Sequence, residues 1–143
     1  MKTTLLIITA FIFGACSGNP QAENIDPNKE KIISKNNQTA IINEVTLITT
    51  AAQKLEKEGR GMEIYRNSVK AESLRQCNLI SADEQKQVQD LADRITKLPE
   101  SYNPILTPII GDLNECVACS KKAAESCVKA RASINKAIKQ LYP

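Results

Sequence analysis

"IIGDLNECVACSKKAAESCVKARASINKAIKQL", Ile109 to Leu141, decides the fold class. Ile109, Leu113, Cys116, Ser120, Ala123, Cys127, Ala130, Ile134, Ala137 and Leu141 recur at alternating steps of three and four. That spacing keeps them on one face of a helix, and only Ser120 interrupts an otherwise apolar stripe. The pattern predicts a final helix running from the "NPILTP" segment to about Tyr142. Pro104 and Pro108 each follow a residue suited to an N-cap, Asn103 and Thr107, and proline fits the first helical position. Gly111 is a point where this helix could kink, or restart at Asp112.

Working upstream, Pro99 stops a helix whose stripe is Val88, Leu91, Ile95 and Leu98. "SADE", Ser81 to Glu84, has the form of a capping box and predicts that helix's start. A preceding helix is expected over 62–76, with Ile64, Ala71 and Leu74 inward and Cys77 closing it. The first helix is expected over 31–57, on Ile41, Val45, Ile48, Ala52 and Leu55, with Gly59 and Gly61 marking its end. Many Ile, Val and Thr residues between Thr39 and Thr49 lower helix propensity there. Strict two-residue alternation is absent, however, so helix is the better reading. Aromatic residues make up 3% of the chain and there is no tryptophan, which argues against a sandwich or barrel. The expected fold is all-α, an antiparallel bundle of about four helices braced by disulfides.

The other end of the chain carries an address. "MKTTLLIITAFIFGAC" has Lys2, a short apolar run from Leu5 to Phe13, two small residues and Cys16. The run is shorter than the ~20 residues a membrane span needs and matches a signal-peptide core. A cut after Ala15 by ordinary signal peptidase would place bulky Phe13 where a small residue is required. "FGAC", Phe13 to Cys16, instead resembles the lipobox of bacterial lipoproteins, with phenylalanine where leucine is commonest. The resemblance covers residues 1–16 only. It implies that Cys16 is acylated and becomes the mature N-terminus, anchoring the chain in a membrane. Ser17, rather than aspartate, implies outer-membrane sorting in a Gram-negative host. The expected organisation is a signal peptide over 1–15, the acylated cysteine and a proline-bearing flexible tether over 16–31, and a helical domain over 32–143.

Charge and composition narrow the function. The chain has 19 basic and 16 acidic residues. Losing Lys2 with the signal peptide leaves a net charge of +2 on 128 residues, enough for one domain. There is no histidine, so Ser-His-Asp and Cys-His centres, His-ligated haem and mixed Cys/His zinc sites are out. Ser120 follows the CxxC unit, which rules out c-type haem attachment. Carboxylates such as Glu44, Glu63, Asp90 and Asp93 have no spacing that selects an acid–base pair. The expectation is a non-enzymatic protein with no cofactor and no metal.

With Cys16 acylated, Cys77, Cys116, Cys119 and Cys127 remain, an even set suited to an oxidising compartment. If the last two helices form a hairpin turning at about 101–103, residue 77 falls opposite 125–129. The expected bridges are therefore Cys77–Cys127 and, by elimination, Cys116–Cys119. The alternative use of Cys116 and Cys119 is thiol–disulfide exchange near a helix N-terminus, although no thioredoxin-like βαβ pattern surrounds them. The last helix is also basic: Lys121, Lys122, Lys129, Arg131, Lys136 and Lys139 face only Glu125 in charge. They are candidate contacts for an anionic surface, set against the plainer reading of a solvated face. No aromatic residues interleave with them, so nucleic acid is not an expected partner. Together these features predict an envelope-anchored binding module. Its partner would be another envelope protein or polymer, as for an assembly accessory, inhibitor, immunity or exclusion factor.

Overall fold

The computed structural model describes residues 27–143. The expected signal peptide, Cys16 and most of the expected tether lie outside that range. Four long helices form an antiparallel bundle: α1 (Pro27–Gly61), α3 (Ala71–Ile95), α4 (Asn103–Cys116) and α5 (Ala123–Leu141). A single-turn α2 (Glu63–Arg66) joins α1 to α3, and a 3₁₀ turn (Glu100–Tyr102) leads into α4. Chain direction alternates, so α1 packs on α3 and α5, while α4 packs on α3 and α5.

The all-α expectation holds, and the segmentation differs in four places. α1 begins at Pro27 rather than Lys31, so residues 27–31 are helix and not tether. It also continues through Gly59. α3 is unbroken through "SADE": Ser81 and Glu84 are buried mid-helix, in phase with Cys77, Val88, Leu91 and Ile95. The spacing that resembles a capping box is one more turn of the core stripe. The expected second helix is split: residues 63–66 form one turn, residues 71–76 open α3, which runs on through Cys77, and Ile64 and Leu74 are 73% and 40% exposed rather than inward. The long final helix breaks after Cys116 and restarts at Ala123, while Gly111 sits inside α4 without a break.

The break follows from the disulfides. Cys116 pairs with Cys127 at a Cα separation of 4.4 Å, and Cys77 pairs with Cys119 at 5.7 Å. On a straight helix, residues 116 and 127 would stand about 16 Å apart. The chain must therefore turn back at 117–122, and α5 runs antiparallel to α4. This overturns both expected bridges, Cys77–Cys127 and Cys116–Cys119. The α3–α4 hairpin is present, but its centre lies near residue 98, which sets Cys77 opposite Cys119, and a second reversal at 117–122 brings Cys127 back to Cys116.

The core comprises Val45, Ile48, Ala52 and Leu55 of α1, Val88, Leu91 and Ile95 of α3, Leu106, Ile109 and Leu113 of α4, and Ala130, Ile134 and Ala137 of α5. Each fully buried aliphatic side chain contributes about 1.5–3 kcal/mol relative to exposure. Polar ties fix the register. Arg94 Nε donates to Glu44 Oε1 at 2.7 Å, joining α3 to α1. Ser133 Oγ donates to Asp112 Oδ2 at 2.6 Å across α4 and α5. The Thr46 and Tyr142 hydroxyls are 2.7 Å apart, pinning the end of α5 to α1.

The bundle has two unlike ends. One gathers the start of α1, the end of α3 and the end of α5. The other gathers both disulfides, the end of α1, α2 and the start of α5. Residues 34–40 of α1 are all exposed, so the helix projects past the bundle at the first end.

Candidate functional site

The disulfide end is built around Cys116, whose side chain is fully buried at the C-terminus of α4. Its Sγ lies 3.8 Å from the Glu56 carbonyl oxygen of α1. A Cβ on Gly59 would sit 2.7 Å from that sulfur and 3.0 Å from the Cys116 carbonyl oxygen. Gly59 is therefore needed for close approach rather than to end a helix. Arg66, on α2, completes the junction. Its Nε donates to the Ala118 carbonyl at 2.9 Å and its Nη2 to the Cys116 carbonyl at 2.6 Å. These are carbonyls that the end of α4 leaves without helical partners, and a cation suits the negative pole of the helix. Burial pushes the Arg66 pKa down, while Glu84 and Glu63 pull it back up.

Glu84 lies within electrostatic reach of Arg66 and is 5% exposed. Its Oε2 and the Arg66 Nη1 are both buried without a hydrogen-bond partner among the described residues. Burial pushes the Glu84 carboxyl up to about 7; Glu58 and Asp83 add to that, and Arg66 opposes it. Leu79, Ile80, Asp83, Gln87 and Glu58 line the shallow groove beside it.

Between α1 and α5 runs a trough in two adjoining parts. The part nearer the disulfides has a volume of ≈ 540 Å³ and is lined by Lys57, Arg60, Gly61, Glu63, Arg66, Ala124 and Val128. The other part, of ≈ 290 Å³, shares Lys57 and Arg60 and adds Gln53, Glu56, Arg131, Ile134 and Asn135. Glu56 is buried to 5% exposure and holds two guanidiniums: Arg60 Nε at 2.6 Å from Oε1 and Arg131 Nε at 3.1 Å from the same oxygen. Lys57 has no ion-pair partner among the described residues. One carboxylate thus positions two cations that remain about half exposed.

The six cations expected on one basic face do not share one. Lys121 and Lys122 sit in the turn between α4 and α5. Lys129 pairs with Glu125 at 2.8 Å. Arg131 points into the α1–α5 trough, and Lys136 lines a separate groove between α4 and α5 with Pro104, Ile105 and Pro108. At about 100° per residue, Arg131 lies roughly 200° around the helix from Lys129. Lys57, Arg60 and Arg66 fall outside the expected basic face, because they lie on α1 and α2. The signal for them is a stripe beside the core: Ala124, Val128, Arg131 and Asn135 on α5 face Gln53, Lys57 and Arg60 on α1.

Cys116 and Cys119 are each bonded to a different cysteine, so the CxxC unit does not form a 116–119 bridge. Among the described residues, no cluster of histidine, cysteine or carboxylate side chains could hold a metal, and no helix is long and apolar enough to cross a membrane. No family model, curated protein or solved structure matches the chain.

Proposed function

We propose that this protein is a lipid-anchored interaction module of the bacterial envelope, attached through Cys16 and presenting its disulfide-braced end to a partner. The observation that carries the reading is the polarity of the bundle. α1 starts at the end nearest the N-terminus and runs for 35 residues, about 52 Å, toward the disulfides. A chain held at residue 16 would therefore display the α1–α5 trough on the side away from the lipid. Ser17 favours the outer membrane, and the paired cysteines suit a compartment outside the cytoplasm. Binding is the activity proposed, in the manner of an assembly accessory, inhibitor, immunity or exclusion factor.

The test uses the full-length gene product in a Gram-negative cell. Metabolic labelling with an alkyne palmitate should tag the wild-type chain and leave Cys16→Ala unlabelled, with only the wild type in the outer-membrane fraction. A photo-crosslinking residue at Val128 should then trap a neighbour that one at Lys139 does not. An unlabelled wild-type chain retaining residues 1–15 would refute the anchor. Equal trapping at both ends would refute the directed presentation.

A further inference from the structure

We infer that the trough between α1 and α5 takes a short acidic polypeptide segment, its carboxylates meeting Arg60, Arg131 and Lys57 and an aliphatic side chain resting on Val128. This deepens the binding-module reading by naming the chemistry of the partner, and it rests on that reading.

Three observations point to that occupant. The first is charge. The lining holds Lys57, Arg60, Arg66 and Arg131 against Glu56 and Glu63, an excess of two positive charges. The second is preorganisation. Glu56 is buried under Arg60 and Arg131, so the two guanidiniums are already oriented, with roughly half of each still exposed. Fixing rotamers in advance lowers the ordering cost of binding, and guanidinium groups match carboxylates in a planar fork. The third is an apolar step in the floor. Val128 is 68% exposed and Ala124 is exposed beside it. A partner carrying an aliphatic side chain would cover them.

The dimensions suit a peptide. From Ala124 to Asn135 the α5 wall is about 16 Å long, which accommodates about five residues of extended chain at ~3.3 Å each. Glu63 stands exposed among the cations of the lining, and Glu56 lies beneath two of them. That mixed pattern disfavours a uniformly charged polymer and favours a segment with carboxylates at intervals. With α1 directed away from an anchor at Cys16, Lys57 stands about 45 Å along the helix from Pro27, which favours a partner over the anchoring headgroups.

The experiment is selection of random ten-residue displayed peptides on the oxidised mature chain in detergent, followed by fluorescence anisotropy with the enriched sequences. Enrichment of peptides carrying several Asp or Glu residues and an aliphatic residue is expected. Lys57→Glu and Val128→Asp should each weaken them roughly tenfold or more, and added salt should weaken them further. Both positions are exposed, and far-UV circular dichroism would verify that the variants fold. Lys139→Glu, at the opposite end, should leave affinity unchanged. Enrichment of neutral or basic peptides, no enrichment, or affinities indifferent to Lys57 and Val128 would each overturn the inference. So would tighter, Lys57-dependent binding to phosphatidylglycerol vesicles than to any peptide. Peptide binding in solution does not depend on acylation, so its failure is separable from a failure of the anchor.

Discussion

Replacing Glu84 with glutamine should stabilise the protein, by an amount that grows from about pH 4.5 and is complete above pH 7. Glu84 sits on the buried face of α3 among Cys77, Ser81 and Val88, with one carboxylate oxygen lacking a hydrogen-bond partner among the described residues. Desolvation first, and then Glu58 and Asp83, push its pKa from 4.5 up to about 7. A raised folded-state value means that the folded chain holds this proton more tightly than the unfolded chain does. The associated stability is complete below about pH 4.5 and is lost as pH climbs through 7. The full linkage amounts to about 3.4 kcal/mol, at 1.36 kcal/mol per unit. The groove beside Glu84 admits water, which screens the charge, so about 1–3 kcal/mol is the working figure. Glutamine keeps the shape and cannot ionise. Guanidinium unfolding of the oxidised protein, followed by far-UV circular dichroism, should give wild type and Glu84→Gln nearly equal stability at pH 4. At pH 8 the variant should be ahead by that amount. A variant no more stable than wild type at pH 8, or equally shifted at both pH values, would show that the carboxylate is not held in a desolvated site.

Two further outcomes test the disulfide end. Trypsin digestion without reduction should yield one linked species joining the peptides Gln76–Lys86, Leu98–Lys121 and Ala123–Lys129; bridges 77–127 and 116–119 would instead yield a two-peptide species and a separate looped peptide. Gly59→Ala should lower stability by about 1–3 kcal/mol in thermal unfolding, because its Cβ would press on the Cys116 sulfur and carbonyl, which the disulfide holds in place; an unchanged midpoint would contradict the close approach of α1 and α4.

Much of the fold was legible because burial repeats at the helical period. Nearly every residue of the final stripe is buried as read, from Ile109 to Ala137, even though the helix is broken between Cys116 and Ala123. A periodic pattern reports which face is inward, and it is silent on whether the axis is continuous. The break has no proline or glycine to announce it, since "VACSKK" contains neither, and it is dictated by which sulfurs join. "SADE" misled for a related reason. Ser and Glu three apart cap a helix only where its first amides are free, and here both lie mid-helix on the inward stripe of Cys77 and Val88. The cysteines were legible as a bridged set, while their pairing depended on the reversal at 117–122, which the stripe does not reveal.

The same break creates the candidate site. Were α4 and α5 one straight rod, Arg131 would lie about 22 Å beyond Cys116 and could not reach Glu56 of α1. Folding back at the cysteine turn lays α5 along the final turns of α1, so that Glu56 meets Arg131 at 3.1 Å. The turn in turn leans on Arg66, which takes up the Cys116 and Ala118 carbonyls, and on Gly59, which lets Cys116 settle against α1. Cations from α1, α2 and α5 then line a trough that no single segment of sequence contains. A sequence read one helix at a time finds six cations from Lys121 to Lys139 and assigns them to one surface. The fold divides them and recruits Lys57, Arg60 and Arg66 instead. The two disulfides therefore govern more than stability: they fix which positive charges stand together at this end of the bundle.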